Sequence, residues 1–511
     1  ADTGITHSDS FAVTLTAGSV AATDLTAIDA ATSAVVDASA ITTITGTAAA
    51  IAAAATLDAD VQTTNIADDF AATVGSGAVS AADLNTISGR TSGTVNATAA
   101  TAINGTVSAV ATALADTGIT HTNTFTTTVT GAGAALDLLA INTATTKPVS
   151  ATGVTTITGT IANVNLVLAE EANQNQVGDA IDLDNDFTVT VSDTGSVAAT
   201  TLTTLDTNVP GATVTASGIT TLTGSASQIA AAATAIDNGT LVIANNFAAT
   251  VSATASAAAD LTIISGQTSG TVNATAATAI NGTASAVATA LADTEITHSD
   301  SFAVTLTAGS AAATDLTAID AATSAVVDAS AITTITGTAA AIAAAATLDA
   351  APQTTNIADD FAATVSEGAV SAADLTTIST QTSGTVNATA ATAINGTASA
   401  VATALADTGI THSDSFAVTL TAGSVAATDL TAIDAATSAV VDASAVTTIT
   451  GTAAAIAAAA TLDAAPQTTN IADDFAATVS EGAVSAADLT TISTQTSGTV
   501  NATAATAING T

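Results

Sequence analysis

Nine copies of one pattern, each opened by a phenylalanine and closed by a glycine, constrain what this chain can fold into. The chain has nine phenylalanines and no Trp or Tyr, and the interval from Phe to Gly is 35 residues in seven copies. The interval from that glycine to the next phenylalanine varies from 20 to 28 residues. A core of fixed length alternating with connectors of variable length is typical of a solenoid with insertions on one edge. The repeat anchors are Phe11, Phe70, Phe125, Phe187, Phe247, Phe302, Phe361, Phe416 and Phe475.

The anchors divide residues 1–511 into the units of a single elongated array, in which each unit packs only on its neighbours. Both ends of the sequence fall within a repeat, so we expect it to be a piece of a longer repetitive protein. We place the units approximately at 11–69, 70–124, 125–186, 187–246, 247–301, 302–360, 361–415, 416–474 and 475–511, the last being incomplete.

Periodicity within one unit predicts two strands and two helices. Phe11, Val13 and Leu15 alternate with polar or small residues, as in a strand with one buried face. Ser80 is a candidate helix cap, followed by Leu84 and Ile87 on one helical face. An extended run at 94–99 precedes a second helix that Thr106 can cap.

Each unit is therefore strand, helix, strand, helix, and strands joined by helical crossovers are parallel. We predict an α/β repeat solenoid that forms a rod or shallow superhelix on the order of 85 Å long, at about 4.8 Å per strand. The alternative is an all-β solenoid, which the Ala-rich runs disfavour because Ala is a poor strand former.

The charge is strongly one-sided, with 43 Asp and Glu against two Lys and Arg and a net charge of -41. Nucleic acid and anionic membrane surfaces need a basic footprint, so both are excluded as electrostatic partners. Arg90 and Lys147 are too few to neutralise the carboxylates, which must be hydrated, screened by salt or bound to divalent cations. The longest apolar stretch, near residues 48–57, is about half a membrane span, so we expect no membrane insertion.

Candidate metal ligands are acidic. Asp182, Asp184 and Asp186 have the alternate spacing of the first half of a calcium loop, but the motif lacks the glycine and the distal Glu of that loop. The three aspartates are therefore interpreted either as a calcium site with an incomplete motif or as a solvated acidic loop. Calcium is the one candidate cofactor. An Asp or Asn also stands two residues before every phenylalanine, where a turn that enters the strand is favoured over a calcium ladder.

Motifs for catalysis are lacking in the sequence. The four histidines, His7, His121, His298 and His412, occupy the same Ile-Thr-His position in their repeats and predict a surface loop, not a metal centre. There is no nucleophile elbow, phosphate-binding loop or His-Glu-x-x-His motif, so we do not expect an enzyme. Nine Asn-x-Ser/Thr sequons recur with the turn and cap chemistry of the repeat, which favours a structural role over glycosylation: Asn96, Asn104, Asn238, Asn273, Asn281, Asn387, Asn395, Asn501 and Asn509.

The chain resembles the tandem-repeat regions of large secreted bacterial surface proteins, in runs such as VTVSDTGSVAATTLTTLD at 189–206 and ITGTAAAIAAA at 44–54. The resemblance is one of repeat style over the whole chain. It implies an extracellular or cell-surface location and a structural or adhesive role, as in surface-layer components, matrix or filament proteins and adhesin stalks. The glycine-rich nonapeptides of calcium-binding export proteins do not occur here.

Two functions follow as expectations. The first is a structural subunit of a self-assembling filament, sheath or surface layer, and the second is an adhesin or ice-binding stalk that presents Thr-rich strands. A solenoid without polar capping repeats exposes apolar layers and strand edges at its ends. We therefore expect a homo-oligomer or homopolymer, formed through the solenoid ends or flanks.

Overall fold

The fold was determined as a computed structural model, which describes residues 6–58, 63–172, 180–184, 186–209, 211–349, 354–463 and 469–510. The chain divides into two compact units. The first comprises Ala1–Gly224, Gln228–Thr250 and Gln267–Gly270, and the second comprises Ser225–Ser227, Val251–Gly266 and Thr271–Thr511. Strand-and-helix repeats build each of them. The nine sequence-derived unit boundaries stay a prediction.

The described residues contain seventeen α-helices and two 3-10 helices, the latter at Thr347–Asp349 and Thr461–Asp463. In chain order the α-helices are α1 Ala22–Ala30, α2 Ala48–Thr56, α3 Ala81–Ser88, α4 Val107–Ala115, α5 Ala135–Ala144, α6 Ile161–Ala172, α7 Ala199–Asn208, α8 Ala226–Asp237, α9 Ala258–Gly266, α10 Ala284–Ala292, α11 Ala313–Ala322, α12 Ala339–Ala346, α13 Ala372–Gln381, α14 Ala398–Ala406, α15 Ala427–Ala436, α16 Ala453–Ala460 and α17 Ala486–Gln495.

The strands are short, and two or three of them precede most helices. In the first half of the chain they are β1 Val13–Thr14, β2 Gly18–Ala21, β3 Val36–Ala38, β4 Ile41–Gly46, β5 Thr64–Ile66, β6 Ala71–Val74, β7 Gly77–Ser80, β8 Val95–Asn96, β9 Ala100–Thr106, β10 Ile119–Thr120, β11 Thr127–Ala134, β12 Val149–Gly159, β13 Ile181–Leu183, β14 Thr188–Val191, β15 Gly195–Ala198, β16 Val214–Thr215, β17 Ile219–Gly224, β18 Leu241–Val242, β19 Ala248–Val251 and β20 Ala255–Ala257. The remaining strands are β21 Val272–Asn273, β22 Ala279–Asn281, β23 Ile296–Thr297, β24 Val304–Thr305, β25 Gly309–Ala312, β26 Val327–Ala329, β27 Ile332–Gly337, β28 Thr355–Ile357, β29 Ala362–Val365, β30 Gly368–Ser371, β31 Val386–Ala388, β32 Ala391–Gly396, β33 Ile410–His412, β34 Ala417–Leu420, β35 Gly423–Ala426, β36 Val441–Ala443, β37 Val446–Gly451, β38 Thr469–Ile471, β39 Ala476–Val479, β40 Gly482–Ser485, β41 Val500–Asn501 and β42 Ala505–Asn509.

Two kinds of turn alternate along the solenoid. A Phe turn follows each phenylalanine and in most units contains two strands and a helix, for example β29, β30 and α13. The next turn, here called the Thr turn, contains two strands in most units and a helix that usually begins after a threonine, for example β31, β32 and α14. The chain is thus an α/β repeat solenoid, as the sequence predicts, and its helices exclude the all-β alternative.

The strands pair in parallel, because each helix carries the chain back to the start of the next strand. One ladder runs β25, β27, β29, β31, β33, and the next runs β30, β32, β34, β36, β38. Each ladder begins at the last strand of a Phe turn, such as β25 after Phe302. It ends at the short strand before the phenylalanine two units later, such as β33 before Phe416. Neighbouring ladders therefore overlap, and the strands of a single turn belong to different ladders.

The core lies between the strand layer and the helices. Eight of the nine anchor phenylalanines are buried, while Phe11 is half-buried. The Phe-turn helix α13 buries Ala372, Leu375 and Ile378, whereas the Thr-turn helix α14 buries Ala398, Val401 and Ala404. This spacing of three residues confirms the predicted helical faces. In the helix α4 of the Phe70 unit, Val110 is buried and Leu114 is half-buried.

Threonine caps begin the Thr-turn helices. Thr106 accepts a hydrogen bond from the backbone N–H of Ala109 at 3.2 Å, and Thr338 accepts one from Ala341 at 3.2 Å. Both bonds satisfy a donor that the first turn of a helix leaves open. Ser80 is also the N-cap of its helix, as predicted, although its side chain makes no capping bond. The closing glycines precede these caps, and Gly337 has φ +149°, which disfavours other residues there.

The extended run expected at 94–99 is only partly a strand, because β8 covers Val95–Asn96 and the chain then turns before β9 begins at Ala100. Asn96 Oδ1 accepts hydrogen bonds from the backbone N–H and the hydroxyl of Thr98, which turns the chain between the two strands. Ser150 and Thr152 replace this pair in the third unit, where β12 runs unbroken through eleven residues.

Candidate functional site

The acidic residues singled out from sequence lie at the end of the third unit, just before Phe187. Asp182 is half-buried in β13, whereas Asp184 and Asp186 are exposed in the loop before Phe187. The backbone N–H of Leu183 donates to Glu171 Oε2 at 2.9 Å, which brings Glu171 of α6 beside this loop. Burial raises the pKa of Glu171, the Leu183 N–H opposes that rise, and the charges of Asp182 and Asp184 add to it.

Glu171 is the member of this acidic group that the calcium-loop spacing did not include, because it comes from the preceding helix. Within the residues that the structure describes, no group of three or more His, Asp or Glu side chains is arranged to hold a metal ion. Calcium binding at Asp182, Asp184 and Asp186 stays a prediction.

Many carboxylates are instead held by hydroxyl groups of an adjacent turn. Ser379 donates to Asp407 Oδ2 at 2.6 Å, and the backbone N–H of Gly409 donates to Asp407 Oδ1 at 2.8 Å. Thr355 donates to Asp320 Oδ1 at 2.7 Å in the same manner. The first of these contacts recurs at Asp116 and Asp293, and the second at Asp29 and Asp434. Hydroxyl and amide donors thus compensate charges for which the chain has almost no cations.

In eight of the nine units, a threonine at the end of the Phe-turn helix ties that turn to its own anchor. The Thr382 hydroxyl donates to the backbone carbonyl of Phe361 and accepts from the N–H of Gly384 at 2.9 Å, while the Ser383 N–H donates to the Asp359 carbonyl at 2.8 Å. We call this set of bonds the Thr clasp. Its hydroxyl-to-Phe-carbonyl bond is found in eight units, at Thr32, Thr91, Thr145, Thr268, Thr323, Thr382, Thr437 and Thr496.

The Asp or Asn that stands two residues before an anchor takes part in the clasp through its backbone. Asp68 lies in a turn that enters the strand, as predicted, and Asp359 occupies the equivalent place. It is the backbone carbonyl of this residue that accepts the bond from the clasp serine. In the unit of Phe187 the clasp threonine is replaced by Val209, which is 2% exposed.

Side chains that break the Thr-turn strands form a second recurring set. Asn96, Asn273, Asn387 and Asn501 each accept two bonds from the threonine two residues on. Asp37, Asp328 and Asp442 do the same with a serine. The hydroxyl and the backbone N–H of that serine lower the pKa of all three aspartates.

Each histidine contacts the anchor phenylalanine of its own repeat. Each packs edge-on against the phenylalanine four residues later, with ring centroids 5.1 Å apart for His298 and Phe302. In other units a buried aliphatic residue such as Ile357 holds this position. His298 lies in a partly exposed segment, with its Nδ1 3.0 Å from the Ser299 carbonyl. The predicted surface position thus has a packing role as well.

Polar side chains follow one another across each ladder on its outward face. Thr336, Thr364, Asn387 and Thr411 occupy successive strands in register, and we call such a row a polar line. Thr364 and Thr411 are exposed, and the other two are half-buried. In the second ladder the row is Asn395, Thr419, Asp442 and Asn470. Such rows present small hydroxyl, amide and carboxyl groups at the spacing of paired strands.

Among the described residues, no helix is long and apolar enough to cross a membrane. No protein-family model matches the chain, and no curated protein matches it. Solved structures with some similarity include the leucine-rich-repeat ectodomain of the Arabidopsis receptor kinase HAESA with an extended IDA peptide hormone, at 10% identity and TM-score 0.13, covering 92% of this chain and 78% of that one. HAESA in complex with IDA and the co-receptor SERK1 is similar at 9% identity and TM-score 0.12, with coverages of 94% and 80%.

Proposed function

We propose that this chain is an extracellular structural protein, a subunit of a self-assembling filament, sheath or surface layer. One observation carries the proposal. Thr clasps, hydroxyl-to-carboxylate bonds and phenylalanine anchors recur from copy to copy along the chain instead of converging on one place. Repetition of this kind favours length and regularity, because every turn contributes the same contacts to its neighbours.

The proposed partner is another copy of the chain, which docks through the ends or the flanks of the solenoid. On the flanks, Val326 is 56% exposed and Val440 is 58% exposed at equivalent positions. Thr385 holds this position in the intervening unit. An exposed valine at a place where the repeat accepts threonine supports a contact between copies, because exposed apolar side chains gain free energy when an interface covers them.

Electron microscopy of the purified chain, at increasing concentration and with or without calcium, tests assembly directly. We expect ordered fibres or sheets, and sedimentation should show species larger than the monomer. The double variant Val326→Thr, Val440→Thr keeps side chains that the repeat already uses, so it should fold and assemble more weakly if the flanks are the interface. A stable monomer at all concentrations, with calcium present, would contradict the proposal.

The second candidate is an adhesin or ice-binding stalk that presents Thr-rich strands. The polar lines favour it, since they hold hydroxyl groups in register on successive strands. Its test is adsorption of the monomeric chain to ice or to a polysaccharide surface, with Thr364→Leu as a variant that interrupts one polar line. Unchanged ice growth and no adsorption would remove this candidate.

A further inference from the structure

The nine sequons of the chain fall into distinct structural groups. In the Asn-Ala-Thr group, the asparagine Oδ1 accepts the backbone N–H of the threonine at 3.1 Å and its hydroxyl at 2.6 to 2.8 Å. Three of these asparagines are exposed and Asn387 is half-buried. The group comprises Asn96, Asn273, Asn387 and Asn501.

In the Asn-Gly-Thr group, the two sequon side chains act apart from each other. Asn281 Oδ1 accepts the backbone N–H of Thr305 in the next turn at 2.9 Å, and Thr283 caps α10 by accepting from Ala286 at 3.1 Å. Asn104 and Asn395 make the same bond to the next turn. All three asparagines are half-buried.

Two other sequons also have the sequence Asn-Gly-Thr, but the bond from the asparagine to the next turn is not described for them. Asn238 is exposed after α8, where Thr240 donates to Asp206 at 3.0 Å and not to the asparagine. The threonine that follows Asn509 lies outside the described residues.

The first arrangement suits chemistry at the asparagine nitrogen. An amide nitrogen is a poor nucleophile because its lone pair is delocalised into the carbonyl. When Nδ2 loses a proton, negative charge accumulates on Oδ1, and two hydrogen-bond donors aimed at Oδ1 stabilise that charge. The Thr98 hydroxyl and N–H are already in this position at Asn96, so the turn needs no rearrangement to support the reaction.

We propose that Asn96, Asn273, Asn387 and Asn501 are acceptors for an N-linked glycan, and that Asn104, Asn281 and Asn395 are not. The proposal rests on the extracellular location proposed above, where such chains meet glycosylating enzymes. The donor class is a sugar linked through diphosphate to a lipid. Nδ2 forms a bond to the anomeric carbon, the bond from that carbon to the diphosphate oxygen breaks, the lipid diphosphate leaves, and the Nδ2 proton passes to a base of the enzyme.

The test is in vitro glycosylation of the purified, folded chain with an oligosaccharyltransferase and a lipid-diphosphate-linked oligosaccharide. Mass spectrometry of peptides then gives the occupancy of each sequon. We expect occupancy at Asn96 and Asn273 at least tenfold above that at Asn281. The urea-unfolded chain should lose this difference, because unfolding frees Asn281 from Thr305.

The repeat supplies a matched gain-of-site variant. Asp328 makes the same turn with Ser330, so Asp328→Asn creates an Asn-Ala-Ser sequon in the geometry of Asn387. We expect this new site to be occupied in the folded chain. Equal occupancy of Asn273 and Asn281, a folded chain modified nowhere, or a folded Asp328→Asn variant whose new sequon stays empty would each overturn the proposal. Because the assay uses purified chain, a failure here is separate from a failure to form filaments.

Discussion

At the scale of single residues, stability depends on hydroxyl groups that serve as donor and acceptor at once. The clasp hydroxyl of Thr382 donates to a buried carbonyl and accepts from a nearby N–H. Hydroxyls of this kind compensate backbone groups that the short strands leave without a ladder partner, and leaving such groups unpaired is costly. Serine and threonine are therefore structural residues here as well as surface residues.

Replacing the clasp hydroxyl tests this role. Thr382→Val keeps the shape of the side chain but leaves the Phe361 carbonyl and the Gly384 N–H without this partner. We expect a loss of about 1 to 3 kcal/mol in the free energy of local unfolding, measured by amide hydrogen exchange across 361–384. The control is Thr385→Val, since valine occurs at the equivalent Val326, and it should change stability little. Equal effects of the two variants would contradict a specific clasp.

Acidification should destabilise the turns in which an aspartate accepts hydrogen bonds from the serine two residues on. The equivalent turns that begin with an asparagine should keep their stability. The pKa of Asp328 is lowered in the folded chain, so the unfolded chain binds more protons as pH approaches 3.8. The stabilising contribution of Asp328 is therefore present above the ordinary pKa of Asp and is lost as pH falls through the lowered value. Asp37 and Asp442 behave alike.

The measurement is the urea midpoint between pH 6 and the acid limit of folding, compared for the original chain and the unglycosylated variant Asp328→Asn, Asp442→Asn. Asparagine makes the same turn at Asn387 and does not titrate. The variant should thus lose less stability on acidification, while both proteins retain the fold at neutral pH. Parallel pH profiles would show that these two turns do not contribute.

At the scale of elements, the sequence predicts helices better than strands. The faces of the helices follow from Leu and Ile three residues apart, and the caps follow from threonine before an alanine run. The splitting of the strands was not predicted, because Asn96 reads equally well as a strand residue or as a turn residue. The clasp was also missed, since a bond between Thr91 and Phe70 spans 21 residues and leaves no periodic signal. The calcium-loop spacing does not predict Glu171 for the same reason, because the fold, and not the local sequence, brings Glu171 close to Asp182.

The helix caps of α12 and α13 differ, and this difference can be measured. Thr338→Ala removes the bond to the Ala341 N–H and should destabilise α12 by about 1 kcal/mol. Hydrogen exchange at the first amides of α12 should rise accordingly. Ser371→Ala is the control, because Ser371 is the N-cap of α13 without a side-chain bond and its removal should be nearly neutral. If Ser371→Ala costs as much as Thr338→Ala, the capping bond is not the cause.

At the scale of the whole molecule, electrostatic repulsion opposes folding. With 43 acidic residues and two basic ones, hydroxyl and amide donors can hold the carboxylates in place but cannot cancel their mutual repulsion. Screening by salt shortens the range of that repulsion, and divalent cations that bind only the folded chain add stability by mass action.

The Tm should therefore rise from low to moderate NaCl, and it should rise further with CaCl2 at matched ionic strength. EDTA at low ionic strength should lower it. MgCl2 at the same ionic strength separates general screening from a preference for calcium. A Tm that is the same in all of these solutions would mean that repulsion is negligible in the folded chain.

The overlap of the strand ladders has a mechanical consequence. In the second compact unit, the ladder from β25 is still running when the ladder from β30 begins, and the latter continues past the end of the former. The two ladders are staggered along the chain, so they do not end at the same turn. If two neighbouring turns begin to separate, at least one ladder still runs unbroken from one turn to the other. Tension along the solenoid is thus transmitted from one ladder to the next. A repeat unit that is weakened in one turn would still transmit load through the neighbouring units.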